Sequence, residues 1–337
     1  MAEALLEVRD LKVHFPTDDG VVKAVDGISF RVDRGETLGV VGESGSGKSV
    51  SFLTVMQLIT RKHATLEGEI LFRGQDVLKL PPEEVRKLRG AGMGMVFQDP
   101  MTSLHPLFKI GFQIVEALRA HQDISKQEAL GQAVEMLRRV GIPKPEERVN
   151  QYPHEFSGGM RQRAMIAMAL SLNPDLLIAD EPTTALDVTV QAQILDLLDR
   201  LKEEFNAAIV IITHDLGVVA EHCDEIQVMY AGKIVETGNA RDIYYRAHHP
   251  YTWGLLQSIP RMSQLRTERL QPIQGLPPSL IFVPPGCSFH PRCPHRFEPC
   301  DKEVPPLLPS DGHHASACHL PLKEKERIFA EEVAARA

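Results

Sequence analysis

The sequence predicts an α/β protein in which a mostly parallel sheet carries helices on its faces, followed by an extension of different composition. Three observations lead there. The run Gly42-Glu43-Ser44-Gly45-Ser46-Gly47-Lys48-Ser49 stands between four apolar residues, 38–41, and a helix-like stretch, 50–56. Downstream, strand-like and helix-like segments alternate, which is the pattern of helices packed on parallel strands. After about residue 250 the composition shifts: half of the 24 prolines lie between positions 272 and 321, together with Cys287, Cys293, Cys300 and Cys318.

Taken in order, residues 5–8, 11–15, 21–25, 28–32 and 37–41 read as short strands, broken by Asp18-Asp19-Gly20, Asp26-Gly27 and Arg34-Gly35. Residues 69–72 form a further strand candidate before Arg73-Gly74-Gln75, and 93–97 a buried one before Gln98-Asp99-Pro100. From 110 to 140 the apolar spacing is helical, with Ile114, Val115, Leu118, Leu130, Val134 and Leu137 on one side. Residues 99–165 therefore read as a helical insertion. Strand 176–179, helix 188–204 and strands 208–213 and 226–230 resume the alternation. Prolines supply neither regular helix nor a central strand, so 272–321 is expected to be held by something else. Residues 322–337 return to a helix with Ile328, Phe329 and Val333 on one face.

Bulk properties bound the function. A chain of 337 residues can bury one large core and still carry an appendage. Its 43% apolar and 24% charged residues are those of a soluble globular protein. A net charge of −8 argues against a nucleic-acid partner, which demands a basic surface. No run approaches the ~20 apolar residues of a membrane-spanning helix. Residues 1–7 lack a basic segment and a long apolar stretch, so no secretory signal is expected. The expected location is the cytoplasm, where cysteines serve as thiols or metal ligands rather than disulfides. Cys223, far from the other four, reads as a small core residue.

The run at 42–49 matches the phosphate-binding pattern GxxxxGK[ST]. Gly42, Gly45 and Gly47, with Ser44 between them, let backbone N–H groups turn inward around phosphate oxygens at a helix start formed by Lys48, Ser49 and Val50. Lys48 would reach the outer phosphates and Ser49 the Mg²⁺ that accompanies them. In Leu176-Leu177-Ile178-Ala179-Asp180-Glu181 a buried strand delivers two carboxylates to its carboxyl end, where α/β sheets place ligands. Asp180 would hold Mg²⁺, and Glu181 would act as general base toward water.

Phe156-Ser157-Gly158-Gly159-Met160-Arg161-Gln162-Arg163 opens a helix shortly before that strand. Ser-Gly-Gly in this place resembles the LSGGQ motif of ABC-type ATPases, with Met160 where the common motif has Gln. Other parts follow the family's order: Gln98 resembles the Q-loop glutamine, Thr184-Ala185-Leu186-Asp187 the D-loop, and His214 the switch histidine. Phe15 resembles the aromatic platform for adenine and is equally a core strand residue. The resemblance implies a P-loop NTPase of ABC type, with a mixed β core, a RecA-like parallel sheet and a helical subdomain at about 99–165. It implies ATP as substrate, Mg²⁺ held by Ser49, Gln98 and Asp180, and catalysis by Glu181, His214, Gln98 and Lys48. It also implies that Ser157 and Gly159 serve a nucleotide bound mainly by a partner chain.

The resemblance narrows at His248-His249-Pro250-Tyr251-Thr252-Trp253 and the proline-rich tail, which are similar to the ATPases of oligopeptide, dipeptide and nickel importers. This implies an ATPase domain, 1–250, followed by an importer-type extension, 251–337. The implied partners are a second ATPase subunit, usually a paralogue, two permease subunits and an extracytoplasmic binding protein. The implied place is peripheral, on the cytoplasmic face of the inner membrane, and the implied cargo is a di- or oligopeptide, or alternatively nickel or another small solute. A non-transport ABC ATPase is the remaining alternative; with a single cassette and no sustained heptads the chain lacks the usual features of one.

Five, six and seventeen residues separate Cys287, Cys293, Cys300 and Cys318, which does not fit the short pairs of common zinc modules. Four thiolates from separate loops suit an iron–sulfur cluster, and similar tails in this subfamily are associated with a 4Fe-4S cluster. Zinc, with His290, His295, His313, His314 or His319 as substitute ligands, and free thiols stay open as alternatives.

Overall fold

The computed structural model describes residues 4–184, 186–259 and 273–334. It divides into two compact units. One comprises Leu6–Arg31, Thr37–Leu78 and Thr213–Ala337; the other comprises Val32–Glu36, Lys79–Ile212 and the first residues up to Leu5. The expected division at residue 250 is not a boundary between these units, because the extension falls in the unit that carries the phosphate loop.

In that first unit, the strands Gly20–Val32, Leu6–Thr17, Thr65–Phe72 and Gln75–Asp76 form a four-stranded sheet in this order. Two breaks expected here are irregularities inside longer strands. Asp10 adopts a left-handed φ of 45°, and the register to Thr65–Phe72 shifts between Arg9 and Lys12. Gly27, at φ 82°, lies beside it, and Asp10 N–H donates to Ser29 Oγ at 2.9 Å. The bulge absorbs one residue, so pairing continues where turn residues predicted an end. Arg73 and Gly74 both have positive φ, as a two-residue hairpin between twisted strands requires.

The same unit holds the strand Thr37–Val41, which runs parallel to Glu225–Tyr230 and is buried throughout. Outward from Glu225–Tyr230, the strands Lys233–Asn239, His314–Ser316 and Leu308–Asp311 follow, each antiparallel to its neighbour. The last two come from the proline-dense stretch, where neither regular helix nor a central strand was expected. They form because Pro309 sits in the outermost strand, where a missing N–H costs no ladder bond. The extension also has a core: Phe289 packs against Tyr230 and Tyr251 at centroid distances of 5.3 and 5.4 Å. The expected terminal helix runs over Leu322–Ile328 and widens into a π turn at Phe329–Val333, with Ile328, Phe329 and Val333 buried. Its last residues, 335–337, lie outside the described residues.

A buried carboxylate joins the extension to this sheet. Glu236 is fully buried; His248 N–H donates to its Oε1, His249 N–H to Oε2 at 3.2 Å, and His314 Nε2 to Oε1 at 2.8 Å. Ser310 Oγ gives its proton to His314 O, so His248 Nδ1 must be the donor toward Ser310 Oγ at 2.9 Å. The His248 and His314 rings stack at 4.0 Å.

In the second unit, the strands Met93–Val96, Leu176–Asp180 and Ala208–Thr213 are parallel and almost wholly apolar, as strands covered on both faces must be. The expected helical insertion is present as Pro100–Ser103, Ile110–Arg119, Lys126–Arg139, Pro145–Arg148 and the helix Gly158–Leu170. A capping box, Ser125 with Glu128, starts Lys126–Arg139. That helix is rotated from the expected face: Ala129, Ala133, Met136 and Leu137 are buried, and Leu130 is 40% exposed. Small alanines allow close packing on Gly158–Leu170, which overrides the larger apolar residues as a guide. Cys223 is buried, as expected of a core residue.

Acid should loosen the sheet edge. Burial, with the charges of His314 and Lys325 nearby and Asp242 opposing them, pushes His248 down to about 3. An unfolded imidazole takes a proton near its ordinary 6.5, so the unfolded chain binds protons first. Stability from neutral His248 is full above that pH and is lost as pH falls toward about 3. The urea midpoint should therefore drop between about pH 7 and about pH 5, and less steeply in His248→Gln.

Candidate nucleotide site and cysteine cluster

The phosphate loop leads from Thr37–Val41 into the helix Lys48–Val55. Gly42, Gly45 and Gly47 have φ of 158°, 77° and 102°. A Cβ on Gly42 would stand 2.2 Å from Met229 O, and one on Gly47 2.2 Å from Ala24 O, so backbone presses on both positions. Around Gly45 nothing lies within 4 Å. The helix begins at Gly47 with no side-chain cap, whereas Asp99, Ser125, Ser157, Asp187, Asp215 and Asn239 each cap their helices. An uncapped start leaves N–H groups for an anion. Lys48 is buried, and its Nζ donates to Gly42 O at 2.6 Å and Glu43 O at 2.9 Å. The Ser46 hydroxyl is buried with no hydrogen-bond partner. These groups fit a polyphosphate: donors converge and one polar group awaits a ligand. Ser44 is exposed, and Ser49 and Val50 are half-buried.

Asp180 ends its strand at 7% exposure. Glu181 follows at a left-handed φ of 47°, a conformation that costs a non-glycine residue about 1–2 kcal/mol. Its N–H donates to Ile212 O at 2.8 Å. Its Oε2 accepts from Gln98 Nε2 at 2.7 Å and from Thr184 Oγ1 at 2.9 Å. The structure thus brings together Gln98 and Glu181, which lie 83 positions apart. Ser157 is exposed; its Oγ accepts from Met160 N–H at 3.3 Å and so starts the helix Gly158–Leu170. A Cβ on Gly159 would meet Val190 at 2.9 Å, so that glycine also serves helix packing. Asp187 caps the helix Val188–Phe205 through Val190 N–H, and Ala185 lies outside the described residues. His214 is exposed just after Ala208–Thr213, and Phe15 is half-buried on Leu6–Thr17.

Cys287, Cys293, Cys300 and Cys318 line one small cavity. The loop is tight: Cys287 N–H donates to Cys300 O at 2.8 Å, and Gly286 at φ 68° passes that carbonyl. Burial pushes Cys293 up to about 12 and Cys318 up to about 11, and raises Cys287. Burial thus favours the protonated form of Cys287, Cys293 and Cys318. Among the described residues, only Glu236, His248 and His314 bring three metal-capable donors within 4.8 Å of one another.

Two residues the motif reading passed over hold the loop. Tyr251 OH accepts from Glu43 N–H at 2.7 Å, and Arg292 pairs with the Glu43 carboxylate at 2.6 and 3.0 Å. Tyr251 stood inside a quoted motif, but nothing in its spacing pointed to residue 43.

The ABC transporter family model matches residues 25–184, and the model of the oligopeptide/dipeptide transporter C-terminal region matches 235–300. The solved structure of cbiO1 from Clostridium perfringens, part of an ABC transporter complex, gives a TM-score of 0.62 at 29% identity, covering 72% of this chain and 92% of that one. A dimeric ATP-binding cassette in a post-hydrolysis state with ADP and Pi gives 0.63 at 28% identity, covering 70% and 99%. Fold and motifs together define an ABC-type ATP-binding cassette. The oligopeptide transport ATP-binding protein OppD of Escherichia coli (strain K12) is 52% identical over 96% of this chain and 95% of its own length. The dipeptide transport ATP-binding protein DppD of Bacillus subtilis (strain 168) is 51% identical over 94% and 95%. This chain belongs to the ATP-binding subunits of the oligopeptide/dipeptide ABC transporter family.

The loop's glycines should differ in their tolerance. Gly47→Ala, driven into Ala24 O, should lower the thermal midpoint of the nucleotide-free protein sharply. Gly45→Ala meets no atom and should cost only the ~1–2 kcal/mol of a left-handed alanine. Equal midpoints for the two variants would contradict the packing.

Proposed function

We propose that this chain binds and hydrolyses ATP to drive uptake of di- or oligopeptides through a membrane permease. The observation that carries the reading is Glu181, held at the end of a buried strand beside Asp180 with its carboxylate joined to Gln98. Lys48 and the N–H groups of the loop offset charge on the phosphates, and His214 steadies the γ-phosphate. Ser49, Gln98 and Asp180 would hold Mg²⁺, which when bound offsets further phosphate charge. Glu181 takes a proton from water, whose oxygen attacks the γ-phosphorus in line as ADP leaves. Gln98 and Thr184 both donate to Oε2, which orients the carboxylate at the strand end.

Ser157, exposed at a helix start, and Gly159, half-buried beside it, serve the nucleotide of a partner ATPase chain, a paralogue in our reading. Asp187 lies next to that contact, and Phe15 stacks on adenine. A dimeric cassette with ADP and Pi among the solved relatives supports this arrangement. Two permease subunits and an extracytoplasmic binding protein complete the importer, which places the chain peripherally on the cytoplasmic face of the membrane. No helix of the described residues is long and apolar enough to cross one. The helical region exposes Met101, Leu107, Phe108 and Phe112, apolar surface suited to a permease contact. Functionally the chain divides near residue 250, with the cassette before it and the importer-type extension after it.

We also infer that Cys287, Cys293, Cys300 and Cys318 ligate a 4Fe-4S cluster. The convergence of the four thiols on one cavity supports it.

Glu181→Gln should keep ATP affinity and lower hydrolysis in the assembled complex by about 10²–10⁴-fold. Wild-type turnover would remove Glu181 from the role of base. Anaerobically purified protein should show a broad absorption band near the violet that disappears in Cys293→Ser. A colourless protein that contains zinc would overturn the cluster.

A further inference from the structure

A carboxylate inside a phosphate-binding loop is electrostatically out of place, yet Glu43 is the second residue of this one. The structure shows what makes it tolerable. Arg292, in the C-terminal extension, meets the Glu43 carboxylate with both terminal nitrogens, Nη1 to Oε2 at 2.6 Å and Nη2 to Oε1 at 3.0 Å. The Arg292 side chain is only 5% exposed. Its Nε donates to Gln274 O at 3.0 Å, and its guanidinium lies 5.8 and 5.9 Å from the ring centres of Tyr230 and Phe289. Such a paired fork is fixed in direction as well as in charge.

A second contact acts on the backbone of the same residue. Glu43 N–H donates to Tyr251 OH, and the Tyr251 ring is fully buried at 4.6 Å from Tyr230. Glu43 O accepts from Lys48 Nζ. Ser46 N–H also donates to Glu43 O, at 3.2 Å. Every polar group of Glu43 therefore has a partner, and two of its four partner residues come from beyond residue 250.

We propose that Arg292 and Tyr251 are positioning residues for ATP: the extension clamps the phosphate loop at Glu43 and cancels its charge. Clamping sets the loop's shape before nucleotide arrives, so binding does not have to order it. Neutralisation removes the repulsion that a bare Glu43 carboxylate would exert on a polyphosphate. Neither residue touches the nucleotide. The proposal rests on the assignment of residues 42–49 to the phosphates, which Lys48→Ala tests separately.

The experiment measures ATP affinity of the full-length chain by titration calorimetry, and kcat and KM in the assembled complex. Arg292→Met should weaken affinity about tenfold and raise KM with kcat nearly unchanged. Adding Glu43→Gln should restore affinity to within about threefold, because no bare charge is left. Tyr251→Phe should weaken affinity by about threefold, and it carries the test if Arg292→Met does not fold. The proposal fails if either single variant binds ATP like wild type, or if the double variant binds no better than Arg292→Met. Lost binding in Lys48→Ala with no change in Arg292→Met and Tyr251→Phe would overturn the clamp alone. Unchanged binding in Lys48→Ala would overturn the loop assignment and the clamp together.

Discussion

The phosphate loop is shaped by backbone contact before any ligand is considered. Met229 O stands where a side chain on Gly42 would go, and Ala24 O does the same at Gly47. Ser46 closes the turn through its N–H to Glu43 O and its own carbonyl to Gly232 N–H. A loop held this way cannot relax around a substituted residue, so its geometry is set by the strands on which it rests. Glycine is needed here for closeness of approach as much as for φ.

The same reasoning explains why a proline-dense extension folds at all. It brings few regular hydrogen bonds of its own. It borrows order instead: the strand His314–Ser316 paired on Lys233–Asn239, aromatic contacts on Tyr230 and Tyr251, and donors aimed at Glu236. Glu236 is costly to bury, and that cost is met only when two backbone N–H groups and His314 all reach it. The extension is thereby held in one register. That register is what lets Arg292, next to Cys293, reach residue 43.

Much of this was legible in the sequence, and the limits have physical causes. Contiguous runs were readable: the phosphate loop, the strand ending in Asp180-Glu181 and the Ser157 helix start all stand where local pattern put them. Alternation of parallel strands with helices was readable because buried strands are continuously apolar. The merged strands were not, since a bulge at Asp10 and a turn look alike in one dimension. The face of Lys126–Arg139 was misread because alanine counts little as an apolar residue but allows the closest packing. The strands in the extension left little signal, since Pro309 is tolerated only because its strand is the outermost and His314–Ser316 is three residues long. The pairing of Gln98 with Glu181 was expected only as two separate roles, and that of Arg292 with Glu43 spans 249 positions and leaves no local signal.

Negative groups in an ATP-hydrolysing protein are a liability unless each has an answer, and here the answers differ in kind. Glu43 has a permanent one, a buried guanidinium that cannot lose its charge. Glu181 has a removable one, two neutral donors on a single oxygen. A permanent partner suits a residue whose task is to hold shape. A removable one suits a residue whose carboxylate is oriented rather than neutralised. The exchangeable donor, Gln98, heads directly into the helical region that exposes Met101, Leu107 and Phe108. That region therefore has a short covalent path to the partner of Glu181, whereas the partner of Glu43 comes from the C-terminal extension. The two carboxylates are held by separate contacts, so each can change without undoing the other.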